Sequence, residues 1–220
     1  MDEKWDIIGN EGFKFMGKMN ASISHEIKNV LAIINENAGL LEDFALMAGK
    51  GRELDPERLA NLAEKVQGQV RRADRIIKNM NTFAHSVDET KKKVDLGEIV
   101  AFMAALCERL TTMKGVKLQV IPPSGSTAVT ANPFLIEHTI WRCLDFATTV
   151  VGPEKTVVIR ARKDGQGVGI LFSQLDGLSD DASGPQFPSD LENGLADALG
   201  AQIVVNPSAG EIVLVLPEID

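Results

Sequence analysis

Met16-Gly17-Lys18-Met19-Asn20-Ala21-Ser22-Ile23-Ser24-His25-Glu26-Ile27-Lys28-Asn29 carries a helical period and a cluster of reactive side chains in the same few turns. Met16, Ile23, Val30 and Phe44 stand seven or fourteen residues apart, and Ile27, Ile34 and Leu41 interleave with them at spacings of four and three. That is a heptad seam, the mark of a helix packed lengthwise on others. It predicts a helix from about Glu11 to Gly49. Gly49-Lys50-Gly51 closes it, because glycine readily takes the left-handed backbone found at helix ends.

Beyond this stop, Asp55-Pro56-Glu57 supplies an N-cap, a first-turn proline and an acid near the positive helix end. A second helix follows to about Val87, with Leu59, Val66, Ala73 and Met80 in one apolar row and Leu62, Gln69, Ile76 and Phe83 in the other. Two long helices joined by a few residues form an antiparallel hairpin. Two helices alone leave much apolar surface wet, so a twofold homodimer closing a four-helix bundle is expected.

The chain has 220 residues, 44% of them hydrophobic and 25% charged, enough to bury a core. A net charge of −8 without a long basic run argues against nucleic-acid binding. Cys107 and Cys143 stand far apart without a CxxC pairing, which suits reduced thiols in a cytoplasmic protein. No apolar stretch approaches a bilayer span and residues 1–20 lack a signal-peptide core, so no membrane insertion is expected.

After Lys91-Lys92-Lys93, which reads as a solvated linker, the period alternates between helix and strand. Asp95 caps a helix to Lys114, stopped by Gly115. Strands are expected at Val116–Ile121, Ala128–Thr130, Thr156–Lys163, Val168–Ser173, Gln202–Val205 and Glu211–Leu216, with helices over Pro133–Val150 and Ser189–Leu199. Asp164-Gly165 is a hairpin turn signal, and Asp176–Pro188 reads as a loop. The expected fold class is α+β: a helical hairpin over residues 1–90, then a small two-layer α/β sandwich over 94–220, its sheet largely antiparallel with helices on one face.

Three histidines are present. His85 in the last turn of the second helix and His138 inside the Pro133–Val150 helix read as structural. His25 lies two positions from both Ile23 and Ile27, roughly 200° around the helix from either, and so faces solvent. Ser22 and Asn29, three before and four after, share its face, and Glu26 adjoins it. An ordinary imidazole is largely neutral and nucleophilic near pH 7, a carboxylate can orient it, and an amide one turn on can hold a water. A solvated helix face that happens to carry a histidine is the plain alternative, and spacing alone leaves the two even.

The stretch from Met16 to Asn29 resembles the H-box of sensor histidine kinases, as do the second helix and Val94-Asp95-Leu96. The resemblance implies that His25 carries the phosphoryl group, that Glu26 assists transfer, and that Asn29 positions water in receiver dephosphorylation. Ser22 and Lys28 are then expected to dock the receiver. Val30 stands where the family often has a proline that bends the helix.

The second domain is similar to the family's ATP-binding domain in its order of elements but lacks its signature residues. Where the family's first box ends in a metal-binding asparagine, this chain has Arg142-Cys143-Leu144-Asp145-Phe146-Ala147, and phenylalanine offers magnesium no oxygen. The Asp-x-Gly-x-Gly box is replaced by Phe172-Ser173-Gln174-Leu175-Asp176-Gly177-Leu178. The glycine-rich segment has shrunk to Glu192-Asn193-Gly194-Leu195.

Such a chain resembles bacterial histidine phosphotransferases built on a kinase-like dimer, passing phosphoryl groups between aspartates through His25. The partners implied are a response-regulator receiver domain or a hybrid histidine kinase, and a second copy of the chain; no cofactor is expected. Rival readings are a divergent kinase, which would use ATP and magnesium, and a non-catalytic scaffold or phosphatase for a response regulator.

Overall fold

The computed structural model describes residues 3–164, 167–179 and 186–217. They fall into two compact units, Asn20–Thr82 and Met1–Met19 with Phe83–Asp220. Helices α1 (Glu3–Gly49) and α2 (Pro56–His85) each contribute to both.

In the Asn20–Thr82 unit the helices form the hairpin. Ser22, Ile23, Val30, Asn37 and Leu62 are buried, while Ile27, Ile33, Ile34, Phe44, Leu59, Val66, Ala73 and Ile76 are half-buried between the helices and the surface. Glycine ends α1 as expected. Gly51 takes φ +78°, its N–H donates to the Ala48 carbonyl (2.9 Å), and the Arg52 N–H donates to Met47 (3.1 Å), the pairing of a left-handed helix stop. Asp55 Oδ1 then accepts from the Glu57 N–H at 2.9 Å and opens α2. One part of the expected seam is not buried. Leu41 is 46% exposed, and Leu31, Val70 and Ile77 are also open, so the hairpin keeps a second apolar face.

The other unit begins with the first turns of α1, eight residues earlier than expected, since nothing before Glu11 breaks a helix and Ile8 finds a buried place. Ile8, Gly12, Phe15 and Met19 form its buried row. Next come β1 (Lys92–Asp95), α3 (Leu96–Met113), β2 (Lys117–Ile121), β3 (Ala128–Ala131), α4 (Pro133–Ala147), β4 (Thr156–Asp164), β5 (Gly167–Ser173), α5 (Asp190–Leu199), β6 (Gln202–Asn206) and β7 (Glu211–Pro217).

The Lys91–Lys93 stretch is not merely a linker. Lys92 pairs with Ala131 and Asp95 with Ala128 in an antiparallel two-stranded sheet. The lysines stay exposed and the backbone alone makes the strand, which composition does not reveal. The main sheet runs β2-β4-β5-β7-β6, with β2 and β4 parallel and the other pairs antiparallel. Gly165 of the Asp164-Gly165 turn and residues 180–185 of the Asp176–Pro188 loop lie outside the described residues.

Rows of apolar residues cross the sheet in register: Ile159, Phe172 and Ile212 in one, Ala161, Ile170, Leu214 and Ile203 in the next. Met103, Cys107, Ile136, Ile140, Leu144 and Leu195 from the helices are equally buried. Burying each large apolar side chain contributes roughly 1.5–3 kcal/mol. Both cysteines are free thiols, and burial pushes them up from their ordinary pKa.

Three caps fix the helix starts. Asp95 Oδ1 accepts from the Glu98 N–H (3.1 Å) for α3, and Asn132 Oδ1 from the Leu135 N–H (3.0 Å) for α4. Ser189 and Glu192 form a capping box on α5.

An aromatic cluster joins α1, α2 and α4 within this unit. Phe15 meets Phe83 edge-on at 5.2 Å and stacks on His138 at 4.9 Å, with Phe134 and Trp141 beside them. Lys18 Nζ sits 4.4 Å above the Trp141 ring. His138 is thus a packing residue, 1% exposed, and burial, aided by Arg142, lowers its pKa to about 4. Next to it, burial pushes the Glu137 carboxyl up to about 8, against the lowering effect of Ser86.

Candidate functional site

The hairpin unit supplies a rigid helix face with His25 on it. His25, Ser24, Lys28 and Asn29 are all exposed, and Glu26 is half-buried beside them. Helical spacing places Asn29 one turn beyond His25 on the same side, and Glu26 next to it in the chain. His25, Glu26, Lys28 and Asn29 thus lie along one short stretch of α1.

Ser22 departs from the expectation. It is 2% exposed, and its Oγ has no hydrogen-bond partner. Three residues back from His25 is a rotation of about 60°, enough to turn Ser22 onto the inner row of α1. A receiver docking on the exposed face would meet Lys28 but not Ser22.

The site also contains a residue that the spacing of α1 alone does not show. Arg72 of α2 places Nη2 4.0 Å from Glu26 Oε2, with side-chain exposures of 45% and 19%. Counting equal lengths back from Gly49 and Pro56 would bring Met80 opposite His25. Instead the Arg72 guanidinium reaches Glu26, and Phe44, Met47, Leu54 and Leu59 line one cavity beside the connection. Gln69, three residues before Arg72, has a buried Oε1 without a partner.

Residues 15–88 match the family of the His Kinase A (phospho-acceptor) domain. That match spans the helical hairpin, which is similar to the phospho-acceptor domain of histidine kinases. No curated protein sequence matches it. Among solved structures it is similar to the histidine kinase AdeS of Acinetobacter baumannii at 12% identity and a TM-score of 0.49, over 89% of this chain and 98% of that one. It is also similar to the catalytic domain of the histidine kinase ThkA, at 15% identity and 0.45, over 59% of this chain and 98% of that one. The third likeness is to ThkA in complex with the response regulator protein TrrA, at 17% identity and 0.41, over 96% of this chain and 64% of that one.

The resemblance read in the sequence implies a nucleotide and magnesium in the second domain, where the side chains of α4 and α5 make contacts of another kind. Arg142 Nε donates to Glu192 Oε1 at 2.5 Å, and Glu192 is 1% exposed. Burial alone would raise the Glu192 carboxyl, but bonds from Ser189 and Arg142 outweigh it and hold the group below its usual range. Phe146 stacks on Phe187 with ring centroids 4.2 Å apart. The Asp176-Gly177 turn is tied back by the Gly177 N–H to the Val150 carbonyl at 2.9 Å. Asp176 packs so closely on Gly152 that its Oδ2 leaves no room for a Cβ there. Ion pair, ring stack and tied turn occupy the stretches to which the resemblance assigns metal and adenine.

Proposed function

We propose that this protein is a phosphohistidine relay of two-component signalling, in which His25 takes a phosphoryl group from one response-regulator aspartate and gives it to another. The observation that carries the reading is an exposed His25 with Glu26 and Asn29 on a matched phospho-acceptor hairpin, joined to a domain whose α4 and α5 side chains suit no nucleotide.

In the forward step a ring nitrogen of His25 attacks the phosphorus of an aspartyl phosphate. The N–P bond forms, the P–O bond to the carboxyl breaks, and the receiver aspartate leaves as a carboxylate. The ring keeps the proton on its other nitrogen and becomes cationic, which the Glu26 carboxylate stabilises. The return step reverses this, with the protonated ring as leaving group. No cofactor is needed. Lys28 offers the incoming receiver a positive contact, and Asn29 can hold a water when the receiver is dephosphorylated instead.

A homodimer belongs to the same proposal. Leu31, Leu41, Val70 and Ile77 leave an apolar face on the hairpin, and a second copy would cover it as a four-helix bundle. Leu31→Asp should then shift the protein to monomer in analytical ultracentrifugation. Among the described residues no helix is long and apolar enough to cross a membrane, and we place the protein in the cytoplasm, without nucleic acid.

The second reading is a divergent ATP-dependent histidine kinase. The family match favours it over a dedicated transfer protein, because the matched domain is that of kinases; the side chains around Phe146 favour the relay. Incubation with γ-labelled ATP in one arm and a labelled phosphoreceiver in the other separates them. Label reaching His25 from the receiver alone supports the relay, and label from ATP makes the protein a kinase. No label from either leaves a scaffold, or a phosphatase if Asn29→Ala abolishes receiver dephosphorylation.

A further inference from the structure

We infer that Arg72 binds the phosphoryl group carried on His25, sharing its guanidinium between Glu26 and the phosphoryl oxygens; this rests on His25 being the acceptor.

The positions come first. On α2, Gln69 and Ile76 belong to the row turned toward α1, and Arg72 stands three after one and four before the other, on the flank of that row. From there its guanidinium reaches the turn of α1 that carries His25, where it lies 4.0 Å from Glu26 Oε2. Four ångströms is the outer limit of an ion pair, and with 45% of the Arg72 side chain exposed the pair is weak and easily rearranged.

Electrostatics then give the residue its use. A phosphoryl group carries close to two negative charges near neutral pH. The turn that receives it already holds the Glu26 carboxylate next to the acceptor, and two anionic groups side by side repel. A cation between them removes the conflict. In the unmodified protein Arg72 compensates Glu26. Once His25 is phosphorylated, the planar guanidinium can bridge carboxylate and phosphoryl oxygens at once, with several N–H donors in a fixed fork. Lys28, three residues along α1, provides only a point charge on the exposed side. Arg72 would therefore contribute both to accepting the group and to holding it against loss to water.

The test uses the full chain, phosphorylated at His25 with phosphoramidate, a small-molecule donor that needs no partner protein. The phosphoryl resonance, identified by its absence in His25→Ala, is titrated by 31P NMR in the wild type, Arg72→Ala, Arg72→Gln and Arg72→Lys. A cation beside the group lowers its ionisation midpoint, so Arg72→Ala and Arg72→Gln should raise the midpoint by about 0.5–1 unit, with partial restoration in Arg72→Lys. Added salt should raise the wild-type midpoint more than that of Arg72→Gln. An Arg72 that merely ties α2 to α1 would not move the resonance. Coincident titrations in all four proteins, with His25 phosphorylated in each, overturn the role of Arg72 and leave the acceptor in place. A wild type that takes no phosphoryl group at His25 overturns both.

Discussion

His25 in the hairpin and His138 in the sheet-bearing unit are the same side chain put to opposite uses. His25 stands exposed with a carboxylate and an amide beside it. His138 is 1% exposed, stacked on Phe15, with burial lowering its pKa to about 4. The contrast extends to the two regions. The hairpin unit keeps His25, Lys28 and Asn29 at the surface, where a partner can reach them. The other unit turns the polar residues of α4 and α5 on one another, as Arg142 and Glu192 show. In the sheet-bearing unit these polar side chains serve packing.

Exchanging the two histidines' fates is the largest test of this contrast. His25→Gln should abolish phosphoryl uptake from a phosphorylated receiver while leaving the thermal midpoint within error, since exposed substitutions cost little. His138→Ala should do the reverse. It removes a buried ring from an aromatic cluster, at a cost of about 3 kcal/mol in denaturant unfolding, while folded protein still takes label at His25. Loss of uptake in His138→Ala samples shown to be folded would refute the division of labour.

A smaller effect is expected at the pair that joins α4 to α5. Arg142→Ala leaves the Glu192 carboxylate, 1% exposed, without its guanidinium partner. Breaking a buried pair from one side costs about 3–5 kcal/mol, and because Arg142 is itself 32% exposed we expect about 2 kcal/mol. Chemical denaturation checks this. Should nucleotide binding appear in Arg142→Ala or Phe146→Asn by calorimetry, the cleft would be plugged rather than rebuilt, and the kinase reading would gain.

The hairpin was legible because heptads are a tertiary signal written locally: Ile23, Val30, Leu62 and Ile76 each report a packed face. The layered unit was legible through its punctuation, with Asp95, Gly115 and Ser189 marking helix ends that caps enforce. What escaped depends on partners distant in sequence. β1 exists because Lys92–Asp95 finds β3, and three lysines announce nothing of the kind. Ser22 was placed on the wrong face because spacing from His25 says little about which flank meets α2. Arg72 was hidden because the way α1 and α2 meet is not written in the spacing of either helix. The aromatic setting of His138 likewise needs Phe15, far away in the chain.

The finest test concerns Glu137 and His138, neighbours on α4 whose burial acts in opposite directions on the pH axis. In an unfolded chain the Glu137 carboxyl ionises near 4.5, but burial holds it protonated to about 8. The folded state therefore binds the extra proton across that window. Its contribution to stability is full below 4.5 and declines as pH rises through 8. For His138 the unfolded ring takes a proton near 6.5 and the buried ring only near 4. Its contribution is full above 6.5 and is lost as pH falls through 4. Thermal midpoints measured from pH 4 to 9 should accordingly show Glu137→Gln flattening the alkaline limb and His138→Phe flattening the acid limb, each leaving the other limb in place. Uptake at His25 in Glu137→Gln should match the wild type at any one pH. An alkaline limb that persists unchanged in Glu137→Gln would mean that the carboxyl is relieved by water in solution, and the sheet-bearing unit would then be less sealed than its packing implies.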